Sequence, residues 1–243
     1  VLLTLGGFAV VGSSNAFNQV WEIEQDALMG RTQNRPLPSG RMTQTRALIW
    51  AFAFGITGIA ALAVLNFKTA GFGALSLLLY VLIYTPLKAK SPWAVLVGAI
   101  PGAIPFMLGW VAATGSFGLE PGVLFAYQFV WQFPHFWAIA WVADADYRKA
   151  GFKMLPNDGK KDIKTAFTIM IYTLFLVPLG FVPYLLHITG IQSAIITVVA
   201  GILFLCQTFY LMMRPTDKAA KWMMFGSFFY LIIIQIALLF DKV

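Results

Sequence analysis

Charge is scarce in these 243 residues. Asp, Glu, Lys and Arg make up 11% of the chain against 59% hydrophobic residues, and the mean hydropathy is +0.77. So little polar surface cannot coat a soluble globule of this length, which leaves a bilayer as the chain's environment. Cysteine is nearly absent: Cys206 is alone in an apolar stretch, so no internal disulfide can form. Histidine is nearly absent too. His135 and His187 fall on opposite sides of the topology derived below, which excludes a dihaem membrane cytochrome and its paired histidine ligands. Alternating segments are missing as well; continuous apolar runs such as Ala47 to Leu65 argue against a membrane β-barrel. The chain opens on Val1 inside an apolar segment, with neither a basic leader region nor a small-residue cleavage site. The expectation is an N-terminus truncated by one span.

What is present is apolar length. Stretches able to span lie near 1–19, 47–66, 71–85, 94–113, 122–142, 165–186, 191–212 and 222–240, each close to the length needed at about 1.5 Å rise per residue. The expected fold is therefore all-α, a polytopic membrane helix bundle with eight spans in one domain over residues 1–243. Short outer connections such as Asn66 to Ala70 imply antiparallel neighbours. Pro101, Pro105, Pro178 and Pro183 fall within spans and predict kinks that shape packing. If loops alternate sides, 15 of the 17 Lys and Arg residues share one face, leaving Lys68 and Lys242 on the other. That face is cytoplasmic by the positive-inside rule, and the net charge of +7 reflects topology and contact with anionic lipid or phosphate, with no nucleic acid implied.

Most acids share the basic face. Asn18, Glu22 and Asp26 recur every four residues where the first span ends, so a helix stacks them on one side. Carboxylates at a helix end often simply face water or pair with nearby arginines, but Glu22 and Asp26 repel each other there unless a cation or arginine sits between them, which makes a divalent metal more plausible. A second acidic segment, Asp144-Ala145-Asp146-Tyr147-Arg148-Lys149, follows the span that carries Trp131-Gln132-Phe133-Pro134-His135-Phe136-Trp137. Two such clusters, with metal ligands drawn from Asn18, Glu22, Asp26, Asp144 and Asp146, suit Mg²⁺ against a diphosphate whose oxygens Arg31, Arg35, Arg148 and Lys153 neutralise. Lys88, closing Tyr84-Thr85-Pro86-Leu87-Lys88, either reaches phosphate or is an ordinary snorkelling anchor. His135 lies about two turns inside its span, where a polar ring in lipid tends to be functional: it is a metal ligand, a proton-transfer group or a histidine bonded to a neighbouring helix. Trp131 and Trp137 are the first aromatics to inspect for stabilising an allylic carbocation. The segments around residues 20–46 and 143–164, four spans apart, share an acid-then-basic order that resembles a weak internal duplication.

NQVWEIEQDALMGRTQNRPLPSGR, YTPLK, VGAIPGAIPFMLGW and WQFPHFWAIA followed by DYRKAGFKMLP resemble the UbiA superfamily of intramembrane prenyltransferases, and within it the branch that farnesylates haem. The first motif of the superfamily has the form NxxxDxxxD; here Glu22 takes the middle place. Ala145 stands where many members carry an acid, with Asp144 one position earlier. The resemblance implies nine membrane helices, the first missing here. It implies that Asn18, Glu22, Asp26 and Asp146 bind Mg²⁺ and farnesyl diphosphate, and that the farnesyl group goes to a vinyl group of haem B, with His135 orienting the porphyrin, ligating its iron or handling a proton. Membrane lipids and a downstream haem-modifying enzyme are the implied partners, and the bacterial inner membrane, with the site on its cytoplasmic face, the implied location. The alternatives are a quinone-pathway aromatic prenyltransferase with the same metal site, and an ion-coupled transporter, which would need acids and broken helices at the midplane rather than acids gathered at one end.

Overall fold

The computed structural model describes residues 1–243, the side chain of Asp158 excepted. Helices α1 (Leu2–Trp21), α2 (Ile23–Leu28), α3 (Gln44–Leu65), α4 (Phe67–Leu78), α5 (Thr85–Leu87), α6 (Ala94–Thr114) and α7 (Leu119–Val142) are followed by α8 (Asp144–Lys149), α9 (Ile163–Leu174), α10 (Leu176–Leu179), α11 (Val182–Leu185), α12 (Ile191–Met213) and α13 (Asp217–Phe240). The all-α expectation holds. Eight long helical segments fall where eight spans were expected, but among the described residues only six, Gln44–Leu65, Phe67–Leu87, Ala94–Thr114, Ile163–Leu185, Ile191–Met213 and Asp217–Phe240, are long and apolar enough to cross a membrane. The count of eight apolar spans is corrected for a physical reason: α1 carries Ser13, Ser14, Asn15, Asn18 and Gln19, and α7 carries Gln128, Gln132 and His135, so polar residues dilute both.

The chain divides into two compact units. The first comprises Val1–Pro121 with Asp144–Met154, the second Gly122–Ala143 with Leu155–Val243. The second acidic segment, α8, thus belongs with α1 and α2, although five helices separate them in sequence.

In the first unit α1 packs most extensively on α3. Lipid is as apolar as leucine, so close backbone approach rather than hydrophobic burial drives such pairing. The surfaces that meet are small: Ser13 Oγ donates to the Ala51 carbonyl at 2.7 Å, and a Cβ at Gly58 would fall 2.9 Å from Val10 N. Asn66 starts α4, its Oδ1 accepting from Thr69 N at 2.8 Å while its Nδ2 donates to the Val111 carbonyl at 3.0 Å. Residues Leu79–Tyr84, between α4 and α5, are wound as a π-helix, a form that clusters at functional sites. Pro101 and Pro105 sit inside an uninterrupted α6; Pro105 has no N–H for the Pro101 carbonyl, and Ser76 Oγ donates to that oxygen instead at 3.1 Å.

In the second unit the Ile163–Leu185 segment is broken into α9, α10 and α11, with Pro178 and Pro183 inside the last two pieces, as the proline positions predict. Thr197 Oγ1 bonds the Gly180 carbonyl at 2.9 Å where the helix breaks. Helices α12 and α13 pack along one another.

A Gly58→Leu substitution drives a side chain into the α1 backbone and is expected to lower stability by about 1–3 kcal/mol, measured as thermal unfolding in detergent. Gly71→Leu, where an added Cβ meets nothing within 4 Å, is the control and leaves stability unchanged.

Candidate functional site

The first motif begins as α1 ends. Glu22 is not within a helix but is the joint between α1 and α2, with φ −110° and ψ 24°. The i to i+4 bonds nevertheless continue through it, Glu22 N to Asn18 O at 3.0 Å and Asp26 N to Glu22 O at 2.7 Å, so the expected stack survives the break. All three side chains are buried, Asp26 to 1% exposure.

Each buried carboxylate meets a cation. Lys88 Nζ lies 2.8 Å from Glu22 Oε2 and 2.6 Å from Oε1, and Arg35 donates to Asp26 Oδ2 at 2.8 Å. The snorkelling reading of Lys88 therefore fails: its ammonium turns inward, 8% exposed, 5.0 Å from the Tyr84 ring and 5.3 Å from the Phe152 ring. Gly98 makes that placement possible, since a Cβ there would come within 2.7 Å of the Tyr84 ring. Asn18 Nδ2 donates to Thr85 Oγ1 at 3.3 Å, which in turn donates to the Tyr80 carbonyl at 2.9 Å, tying α1 to the π-helical turn.

The second motif comes to the same place. Gly30 N donates to Asp146 Oδ1 at 3.4 Å, Arg31 donates to the Tyr147 hydroxyl at 3.0 Å with its guanidinium 5.0 Å over that ring, and Lys153 N donates to the Lys88 carbonyl at 3.1 Å. The first unit thus gathers Asn18, Glu22, Asp26, Arg31, Arg35, Lys88 and Asp146. Asp144 and Arg148 pair with each other along α8 at 2.9 Å, and the Lys153 side chain is exposed. His135 belongs to the second unit, where its Nδ1 lies 2.7 Å from Ser227 Oγ. Trp131 bonds the Ser227 carbonyl at 2.9 Å, whereas the buried Nε1 of Trp137 has no hydrogen-bond partner among the described residues. Tyr84, Tyr147 and Phe152 were not singled out from the sequence, although aromatic residues flanking the basic positions of both motifs were there to be read.

Burial dominates the electrostatics. It pushes the Glu22 carboxyl above its ordinary value of 4.5, opposed by Lys88, and pulls the Lys88 ammonium below 10.5, opposed by Glu22. Burial likewise raises the Tyr147 hydroxyl against the pull of Arg31.

Among the described residues no three His, Cys, Asp or Glu side chains form a metal cage. Mg²⁺ does not require one: it commonly takes one or two carboxylates and completes its shell with water and substrate phosphate. The donors fit that use. Glu22 and Asp26 are buried hard oxygen donors one turn apart, and each already carries a cation, Lys88 on both oxygens of Glu22 and Arg35 on Asp26.

The profile of the UbiA prenyltransferase family matches residues 1–233. The chain belongs to that family. Protoheme IX farnesyltransferase of Cytophaga hutchinsonii is 54% identical over 244 residues, covering 100% of this chain and 85% of the relative. The enzyme of the same name from Christiangramia forsetii is 51% identical, covering 99% and 81%. A solved structure bearing on digeranylgeranylglyceryl phosphate synthase shares the fold at a TM-score of 0.82 and 22% identity, covering 99% of this chain and 84% of that one. A UbiA homologue from Archaeoglobus fulgidus, bound to DMAPP and Mg²⁺, does so at 0.64 and 14%, covering 96% and 88%. The chain is a multi-pass integral membrane protein with the prenyltransferase fold.

Replacing Lys88 by Met strands the Glu22 carboxylate and is expected to cost about 3 kcal/mol at neutral pH. The sign follows from the raised folded-state value: stability from this group is present below 4.5 and is lost as pH rises through the elevated folded value. The thermal stability of Lys88→Met should thus fall as pH rises from roughly 5 to 8, and the added Glu22→Gln change should flatten the profile. A flat profile in the single variant contradicts the pairing.

Proposed function

We propose that this chain is a single-domain intramembrane prenyltransferase that transfers the farnesyl group of farnesyl diphosphate to a vinyl group of haem B, giving haem O. The observation that carries the donor half is the meeting of the two acidic segments in one unit, where the buried carboxylates of Glu22 and Asp26 pair with Lys88 and Arg35 while Gly30 N and Arg31 reach Asp146 and Tyr147. The acceptor half is supported by relatives named protoheme IX farnesyltransferase at up to 54% identity over the whole chain. The match over residues 1–233, which runs through both units, supports treating them as one functional domain.

The charges sort by chemistry. Glu22, Asp26 and Asp146, with Asn18, are the oxygen donors that would hold Mg²⁺. Asp144 stands on the same short helix as Asp146 and belongs with this set. Mg²⁺, when bound, draws charge from the diphosphate oxygens and so improves diphosphate as a leaving group. Arg31, Arg35 and Lys88 are the cations within the cluster that meet those oxygens, with Arg148 and Lys153 at its rim.

The allylic C–O bond of the donor breaks and its electron pair leaves on diphosphate. The vinyl carbon supplies the pair for the new C–C bond, and water captures the cation left on the acceptor, releasing a proton and giving a hydroxyethylfarnesyl group. Groups that favour the growing negative charge on the departing diphosphate more than the charge of the bound substrate accelerate this step.

His135 stands on the acceptor side of this reading. Its helix α7 also holds Gln128 Oε1, Trp137 Nε1 and Trp141 Nε1, all buried without hydrogen-bond partners among the described residues, which supports a polar-edged ligand for a segment otherwise surrounded by apolar groups. The location proposed is the bacterial inner membrane, with the metal site on the cytoplasmic face. Haem B, farnesyl diphosphate, membrane lipids and a downstream haem-modifying enzyme are the proposed partners.

Protein supplied with haem B, farnesyl diphosphate and Mg²⁺, read by mass spectrometry, is expected to yield the hydroxyethylfarnesyl product. Asp26→Ala and Asp146→Ala should each reduce turnover at least about 100-fold while the protein still inserts, and chelation of the metal should act alike. Full activity of both variants would falsify the site assignment; alkylation of an aromatic quinone precursor in place of haem B would transfer the chain to the quinone branch.

A further inference from the structure

His135 is 8% exposed, and three neighbours in the second unit fix its ring. It stacks on Trp131, one turn earlier in α7, with centroids 4.3 Å apart and planes 16° apart. Phe228 of α13 presents an edge-on contact at 4.7 Å and 79°. Ser227 Oγ, next to it, lies 2.7 Å from Nδ1.

The direction of that last bond is decided by another. Ser227 Oγ also lies 2.5 Å from the Met224 carbonyl, three residues back in α13, and a carbonyl can only accept. A hydroxyl has one proton and two lone pairs. Its proton goes to Met224, so the oxygen must accept from His135. Nδ1 therefore carries the imidazole hydrogen and Nε2 carries the lone pair. The Ser227 carbonyl accepts from Trp131 Nε1 at 2.9 Å, so this one residue of α13 secures both the imidazole and the indole stacked on it. Among the described residues, Nε2 has no hydrogen-bond partner.

We propose that Ser227 is a positioning residue that holds His135 in its Nδ1–H tautomer, so that Nε2 serves as the axial ligand to the iron of the haem substrate. The inference rests on haem B being the acceptor. A metal-bound imidazole usually donates its other N–H to an oxygen, which sets the ring's tautomer and orientation and strengthens the bound nitrogen as a donor. Ser227 supplies that oxygen without charge, as a segment among apolar neighbours favours. Turning the imidazole over would break the bond to Ser227. Binding the iron on one fixed atom would restrict where the porphyrin's vinyl group can lie, which is a means of positioning the acceptor. A role for His135 in proton transfer alone leaves the iron without this nitrogen, so the two roles differ in a measurable signature.

The test uses the purified protein in nanodiscs with ferrous haem B, read by resonance Raman spectroscopy, alongside haem titration and product analysis. The expected result is an iron–histidine stretch in the wild type that His135→Gly lacks and added imidazole restores. Ser227→Ala should keep the ligand, shift that stretch to lower frequency and weaken haem binding about tenfold, while Ser227→Thr returns both toward the wild type. Haem B that binds and is farnesylated with the same iron spectrum in wild type and His135→Gly overturns the ligand assignment and leaves the acceptor reading standing. An unshifted stretch in Ser227→Ala overturns the positioning role. A wild type that neither binds nor farnesylates haem B overturns the acceptor reading, and this inference with it.

Discussion

A carboxylate and an ammonium buried together depend on each other far more than the same pair at a surface, because neither can fall back on water. Glu22 and Lys88 are such a pair, and the first unit is arranged around it. Glu22 is the joint where α1 gives way to α2, and Lys88 ends the segment that began at α4. Phe152, from the second motif, and Tyr84, from the π-helical turn, lie on the ammonium. Holding that contact therefore holds three separate stretches of chain in register. Asp26 with Arg35 repeats the arrangement one turn further on, nearer to solvent, with the arginine side chain 37% exposed.

Pairs of this kind also suit the proposed reaction. A diphosphate with a divalent cation brings both signs of charge, so the carboxylates can turn to the metal and the lysine and arginines to the anion without any group being left uncompensated.

Polarity was placed where lipid makes it costly, and that is what reduces the apolarity of α1 and α7. The residues responsible are Asn18 at the first motif and His135 with Gln128 and Gln132 in the aromatic helix. The departure from eight apolar spans to six thus falls on the two helices that carry both groups of candidate site residues. Elsewhere the bundle is held by close approach of small side chains, as at Gly58, and by hydroxyls that satisfy backbone freed by proline, as Ser76 does for Pro101.

Much of this was legible in the chain itself. Scarce charge and long apolar runs determine a helical membrane bundle, since a bilayer requires every backbone polar group to be satisfied within helices or closed barrels. The four-residue spacing of Asn18, Glu22 and Asp26 determines a common face, because the helical period is local. What only the tertiary structure decided is which cation meets which acid, and which hydroxyl orients His135. Lys88 reaches Glu22 across 66 residues and Ser227 reaches His135 across 92; periodicity describes a segment's own faces and carries no information about which distant segment will come to lie against them.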